Sequence, residues 1–192
     1  MENRVITIAR SYGSGGRKMG RLLAKELGYE YYDREILRIA SDESGISEEL
    51  FRQADEKQRI PLFRIAREVY TGEVIPPDSD DFISNENLFR YQAKIIRELA
   101  QRESCVIIGR AADYVLKDYD NVVSVFVHAS RKYCVEQAVE RRAYVGKDVE
   151  KFVERTDKYR SDFYRYYTGQ EWTDARNYDL CLNSERLGFE GT

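Results

Sequence analysis

Val5-Ile6-Thr7-Ile8-Ala9-Arg10-Ser11-Tyr12-Gly13-Ser14-Gly15-Gly16-Arg17-Lys18 decides the fold. Val5 to Ala9 is a short run rich in β-branched residues, long enough for a buried strand. Ser11 to Gly16 holds three glycines and two serines, a turn in which backbone N–H groups can converge. From Arg17 the apolar positions Met19, Leu22, Leu23 and Leu27 return at helical spacing, and Gly28 stands where a helix stops. Tyr29-Glu30-Tyr31-Tyr32-Asp33 alternates like a second strand. Strand, turn, helix and strand form a βαβ unit, the building block of an open parallel α/β sheet.

Outward from this unit the chain stays α/β. A helix begins over Arg34 to Ala40, another is predicted over Ile60 to Tyr70, and Pro76 to Asp81 is an acidic, proline-marked loop. A helix over Asn87 to Gln101 delivers the chain into the apolar strand Cys105 to Ile108, which ends at Gly109-Arg110. Val122 to Val127 is a further continuous apolar strand, the pattern of a sheet covered on both faces. Helices follow over 132–143 and 147–167, then a last strand over Tyr178 to Leu182.

The composition fits one domain over 1–192. Lys and Arg number 31 against 34 Asp and Glu, a net charge of −3, so no bulk positive charge drives the chain onto nucleic acid or acidic lipid. No apolar run reaches the roughly 20 residues of a membrane span, and Met-Glu-Asn-Arg is no secretory leader. Cys105, Cys134 and Cys181 are odd in number and far apart, which fits reduced thiols and a cytoplasmic location; Cys105 and Cys181 are expected to be inert in their strands. The single histidine, His128, rules out multi-histidine metal sites and reads as structural. Trp172 reads as packing for the turn before the last strand. Tyr164 to Tyr167 reads as core or interface, and Tyr- and Leu-rich helices leave a homodimer face open.

The glycine turn carries the strongest chemical signal. Glycines let backbone approach a ligand, a helix N-terminus adds oriented N–H dipoles, and Arg17 and Lys18 add positive charge, which together suit a polyphosphate. The strict P-loop pattern G-x-x-x-x-G-K-[ST] is nevertheless broken. Counted back from Gly16, Ser11 takes the first glycine position, Arg17 the lysine and Lys18 the magnesium-binding hydroxyl. Counted from Gly15, Arg10 comes first and Gly16 takes the lysine. The competing reading is a glycine turn of a doubly wound fold with no ligand.

Ile6 to Arg17, Leu27-Gly28 and Tyr31-Tyr32-Asp33-Arg34-Glu35-Ile36-Leu37 resemble the cytidylate kinase-like family, P-loop relatives of the nucleoside monophosphate kinases with an altered loop. The likeness continues at Val106 to Tyr114 and Val125 to Ser130 and ends at Tyr178 to Ser184. It implies a three-layer α/β P-loop NTPase fold with a parallel sheet, a helical acceptor-binding region over 34–100 and a helical lid over 131–167. Such chains commonly continue into a further helix after the last strand; this one stops at Thr192, which reads as a trimmed chain or a short member.

The resemblance also implies roles. Ser11, Tyr12, Gly13, Ser14, Gly15, Gly16, Arg17 and Lys18 would hold the triphosphate of ATP, with Arg17 or Lys18 replacing the usual lysine. Asp33 would bind Mg²⁺ through water or orient the acceptor, and Ser11 or Ser14 is the other candidate for placing the metal; Asp33 also reads as a plain N-cap for the helix after it. Arg34, Gly109, Arg110, Asp113 and Arg131 would meet a small phosphate acceptor, a nucleoside monophosphate above all. The strand-end Asp that many P-loop enzymes use for magnesium is absent at Gly109-Arg110.

The stretch 131–167 carries ten basic residues against seven acidic ones. Lys151, Arg155, Lys158, Asp162 and Arg165 share one helix face, and Phe152, Tyr159, Phe163 and Tyr166 another. Arg141-Arg142 precede a Val-Gly turn, so two basic helix ends would meet at a hinge. As a lid, Arg142, Arg155 and Asp162 would join the catalytic set, because phosphoryl transfer rests on positioning and cationic stabilisation; the bland alternative is a solvated face of mutually neutralising charges. Two functions therefore stand open: a phosphotransferase, and a nucleotide- or phosphometabolite-binding sensor with a degenerate loop.

Overall fold

The computed structural model describes residues 3–56, 73–141 and 148–192. Five parallel strands, β1 (Val5–Arg10), β2 (Glu30–Tyr32), β3 (Cys105–Ile108), β4 (Val122–His128) and β5 (Leu180–Asn183), lie in the order β2-β3-β1-β4-β5. The register pairs Val5 with both Cys105 and Val122, so the central strand is hydrogen-bonded on both edges. Around the sheet run α1 (Gly16–Leu27), α2 (Glu35–Ser44), α3 (Glu48–Glu56), α4 (Asn85–Arg102), α5 (Ala112–Val115), α6 (Arg131–Glu140), α7 (Val149–Thr168) and α8 (Ser184–Gly191). The expected helix over Ile60 to Tyr70 lies outside the described residues. No described helix is long and apolar enough to cross a membrane.

Side chains alternate across the strands, which sorts the apolar residues into two layers. Val5, Ala9, Cys105, Ile107 and Phe126 face the larger core, built with α2, α4, α5 and α7. Ile8, Val106, Ile108, Val125 and Val127 face the other side, under Met19 and Ala24 of α1, with Phe189 of α8 packed against them. This is the three-layer α/β arrangement with a parallel sheet that the resemblance implies. Because β1 exits through α1 on one face and β3 through α5 on the other, a crevice opens between their carboxyl ends, where open α/β sheets bind ligands.

Helix boundaries follow local chemistry. Gly28 ends α1 in the left-handed conformation, its N–H reaching the Ala24 carbonyl. Ser84, Ser130 and Asp148 cap α4, α6 and α7 by accepting from the amides of Asn87, Tyr133 and Lys151. A further helix, α8, does follow the last strand. Tyr164, Tyr166 and Tyr167 are buried, with Tyr167 stacked 4.0 Å from Phe89, so these tyrosines serve the core. Trp172 is likewise buried, edge-on to Phe126 at 5.4 Å. Cys105 is buried, which pushes its thiol up to about 12, whereas Cys181 is exposed because β5 is an edge strand.

Candidate active site

Arg10 ends β1 and the glycine turn follows it. Gly15 sits at φ 88°, supplies no side-chain cap and hands the chain to α1, whose first amides have no partner within the helix. A side chain at Gly15 would be doubly obstructed: a Cβ there would approach Phe189 Cε1 to 2.4 Å. The turn is braced from within. Ser11 donates its amide to the Val127 carbonyl, and the Ser14 hydroxyl donates to the Ser11 carbonyl at 2.9 Å. Ser14 is fully buried, and its hydroxyl is engaged in holding the turn. Lys18 points its ammonium over the Phe189 ring at 4.3 Å, and Arg141 faces the same ring at 5.6 Å.

Arg17 turns towards β2. Its Nε lies 2.8 Å from Asp33 Oδ2, and its Nη2 donates to Asp33 Oδ1 at 3.2 Å, a two-pronged pair joining the turn to the second strand. The alternative role of Asp33 as N-cap is not realised. Arg34 takes that position without a side-chain cap, and Glu35 folds back to accept the Asp33 amide.

Beside this pair opens a cavity of about 1070 Å³, walled by the strand ends on one side and α7 on the other. Of the sequence candidates, Tyr12, Arg17, Asp33, Arg34, Gly109, Arg110, Asp113 and Arg155 line it. Three consecutive residues after β3, Gly109, Arg110 and Ala111, are left-handed (φ 68°, 61° and 51°). Two of them carry a side chain, at a cost of roughly 1–2 kcal/mol each, so the turn is held by its surroundings. Arg110 Nε donates to the Asp33 carbonyl at 3.0 Å and its Nη1 to Gln92 Oε1 at 3.0 Å. Asp113 lies in the first turn of α5 and accepts from the Tyr164 hydroxyl at 2.7 Å. Burial raises its carboxyl to about 6 against that hydrogen bond.

The remaining candidates lie elsewhere. Asp162 pairs with Lys158 at 2.6 Å, one turn back on the solvent side of α7, and does not line the cavity. Arg131 bridges α6 to α7 through Glu150 and Glu154 and is likewise absent from the lining. Arg142 and the Val-Gly hinge lie outside the described residues. Much of the basic face of α7 is thus paired with neighbouring acids.

Residues that sequence reasoning passed over complete the site. Asp157 of α7 accepts the Tyr12 amide at 2.7 Å, and Arg160 donates to the Arg10 carbonyl at 3.0 Å, so α7 is fastened directly onto the glycine turn. Arg160 also pairs with Asp157 at 3.3 Å, and burial, ahead of that pairing, lowers its guanidinium while raising the Asp157 carboxyl. Arg10 reaches the cavity from the end of β1. Its one sequence signal is a charged residue ending an apolar strand at a glycine turn. Among the described residues, no group of three or more His, Cys, Asp or Glu could hold a metal ion. Two carboxylates reach the turn: Asp33 through its pair with Arg17, and Asp157 on the Tyr12 amide.

The profile of the cytidylate kinase-like family matches residues 5–186. No curated protein matches the chain. Among solved structures, an uncharacterized protein from Eubacterium ventriosum is similar at 23% identity and TM-score 0.65, covering 94% of this chain and 88% of its own. A shikimate kinase from Bacteroides thetaiotaomicron is similar at 13% identity and TM-score 0.54, covering 95% and 87%. At these identities the likeness is one of fold.

Proposed function

The chain belongs to the cytidylate kinase-like family, and from that premise we propose that it transfers the γ-phosphoryl group of ATP to a nucleoside monophosphate or a similar small phosphate acceptor. One observation carries the reading: a glycine turn with uncapped helix amides meets, through the Arg17–Asp33 pair, a nucleotide-sized cavity lined by arginines. The turn would take the donor phosphates and the cavity the acceptor.

In the reaction an acceptor oxygen forms a bond to the γ-phosphorus while the bond to the β–γ bridging oxygen breaks, and ADP leaves with that electron pair. Transfer of this kind asks little covalent chemistry of the protein and much positioning. Arg17 would exchange Asp33 for the γ-phosphate, a trade its fork geometry permits. Arg155, exposed on the cavity side of α7, would face the equatorial oxygens, and Arg110 would fix the acceptor. Mg²⁺, when bound through water to Asp33, would neutralise charge on the phosphate oxygens. Ring Tyr12, held edge-on to Phe152 at 5.2 Å, would help keep water from the transferring group.

Replacement of the P-loop lysine by Arg17 and of its hydroxyl residue by Lys18, with Ser14 sealed, supports a second reading: a module that binds nucleotide and transfers nothing. Calorimetry with ATP and Mg²⁺, followed by a coupled ADP assay over a panel of monophosphates, separates the two. Turnover with any acceptor establishes the kinase, tight ATP binding with no turnover across the panel establishes the sensor, and no ATP binding removes both.

A further inference from the structure

Arg10 is anomalous among the cations of the site. Its Nε is enclosed by protein without a hydrogen-bond partner. Its Nη1 occupies room that exists only because residue 109 is glycine, since a Cβ there would come within 2.2 Å. Asp33, the carboxylate whose field supports Arg10, is already held in two places by Arg17. The other neighbours that act on it, Arg160, Arg17 and Arg110, are positive. Arg10 is half-buried, but an Nε–H taken out of water without a partner is costly, and surrounding the guanidinium with like charge makes it costlier. Burial first, then Arg160, pushes it down to about 9, so at neutral pH it keeps its proton and its need for an anion.

We propose that Arg10, with Arg110 and Arg160 beside it, forms an anion subsite separate from the glycine-turn amides, and that it takes the phosphomonoester group of the acceptor. The assignment to the acceptor rests on the function proposed above. A tetrahedral dianion suits the place better than a lone carboxylate. It can accept from Arg10 while its second charge offsets the field of the neighbouring guanidiniums, and a guanidinium fork matches two phosphate oxygens. The subsite lies at the carboxyl end of β1, beneath α7, on the cavity side of the turn.

The test uses the full chain and inorganic phosphate as the probe. Wild-type protein saturated with a non-hydrolysable ATP analogue is titrated with phosphate by calorimetry, and the ¹⁵N resonance of Arg10 Nε, identified by its loss in Arg10→Lys, is followed in parallel. Phosphate should bind with the analogue in place and move that resonance. Arg10→Met should weaken phosphate at least tenfold while ATP affinity stays within twofold. The subsite is overturned if the analogue expels phosphate, if Arg10→Met binds phosphate as wild type does, or, should that variant not fold, if saturating phosphate leaves the wild-type Arg10 resonance unmoved. Repeating the titration without the analogue keeps the two readings apart: failure of ATP to bind ends the kinase reading, while the Arg10 result stands on phosphate alone.

Discussion

Asp113 shows how burial writes a pH dependence into the site. Its carboxyl rises from 3.8 to about 6, chiefly through burial, so the folded state holds its proton more tightly than the unfolded chain does. The folded protein then binds more protons between about pH 4 and 6, and stability falls as pH climbs through that window. The span corresponds to about 3 kcal/mol. Asp113→Asn, which can still accept from Tyr164, should flatten this slope and raise stability at pH 7 by about 1–3 kcal/mol, read by urea unfolding at pH 4, 5, 6 and 7. Gly15→Ala works in the opposite direction. It forces a side chain to φ 88° and drives it into Phe189, so a loss of about 2–4 kcal/mol is expected in the same experiment. Arg10→Met should raise the melting temperature of the ligand-free protein by about 2–4 °C, the result of removing a half-buried charge whose enclosed Nε has no hydrogen-bond partner.

At the scale of elements, α7 is the part that joins turn and cavity. Asp157 and Arg160 fasten it to Tyr12 and Arg10, while Arg155 and Tyr159 face the cavity from the same helix. Asp157→Ala strands the Tyr12 amide and leaves Arg160 without its acid. Hydrogen exchange at Tyr12 should quicken at least about tenfold, with about 3 kcal/mol lost from global stability. Arg155→Ala disturbs no such fastening. If the kinase reading holds, it should lower turnover about 10²–10³-fold and leave the ATP dissociation constant within twofold, a split read by comparing kinetics with calorimetry.

Across the whole molecule, the βαβ start, the parallel sheet and the five strands could be read from Val5-to-Lys18 and the apolar runs, because strand burial and glycine turns are written locally. Strand edges moved by a residue or two: the last strand runs Leu180–Asn183 where Tyr178 to Leu182 was expected. Helices α3 and α5 gave no usable periodic signal, one being nine residues and the other four. Arg17, Asp33 and Arg110, singled out in the sequence beside its strongest motifs, do come together at the cavity. The site was opaque where partners lie far apart in sequence. Asp162, grouped in the sequence with the basic face of α7, pairs with Lys158, whereas Asp157 gave no sequence signal and is picked out only by its contact with Tyr12, 145 positions away.

The sequence by itself determined the sheet, the order of chemistry along it and the family to which the chain belongs, since periodicity, turns and motifs depend on neighbours within a few residues. Tertiary structure alone decided which charges are neutralised and which are left wanting. Arg131, Lys158 and Arg165 found carboxylates, Ser14 was sealed behind its own turn, and Arg10 was set among other arginines with its Nε enclosed and unpartnered. Electrostatic energy depends on distance in space and on exposure to water, and a one-dimensional string records neither.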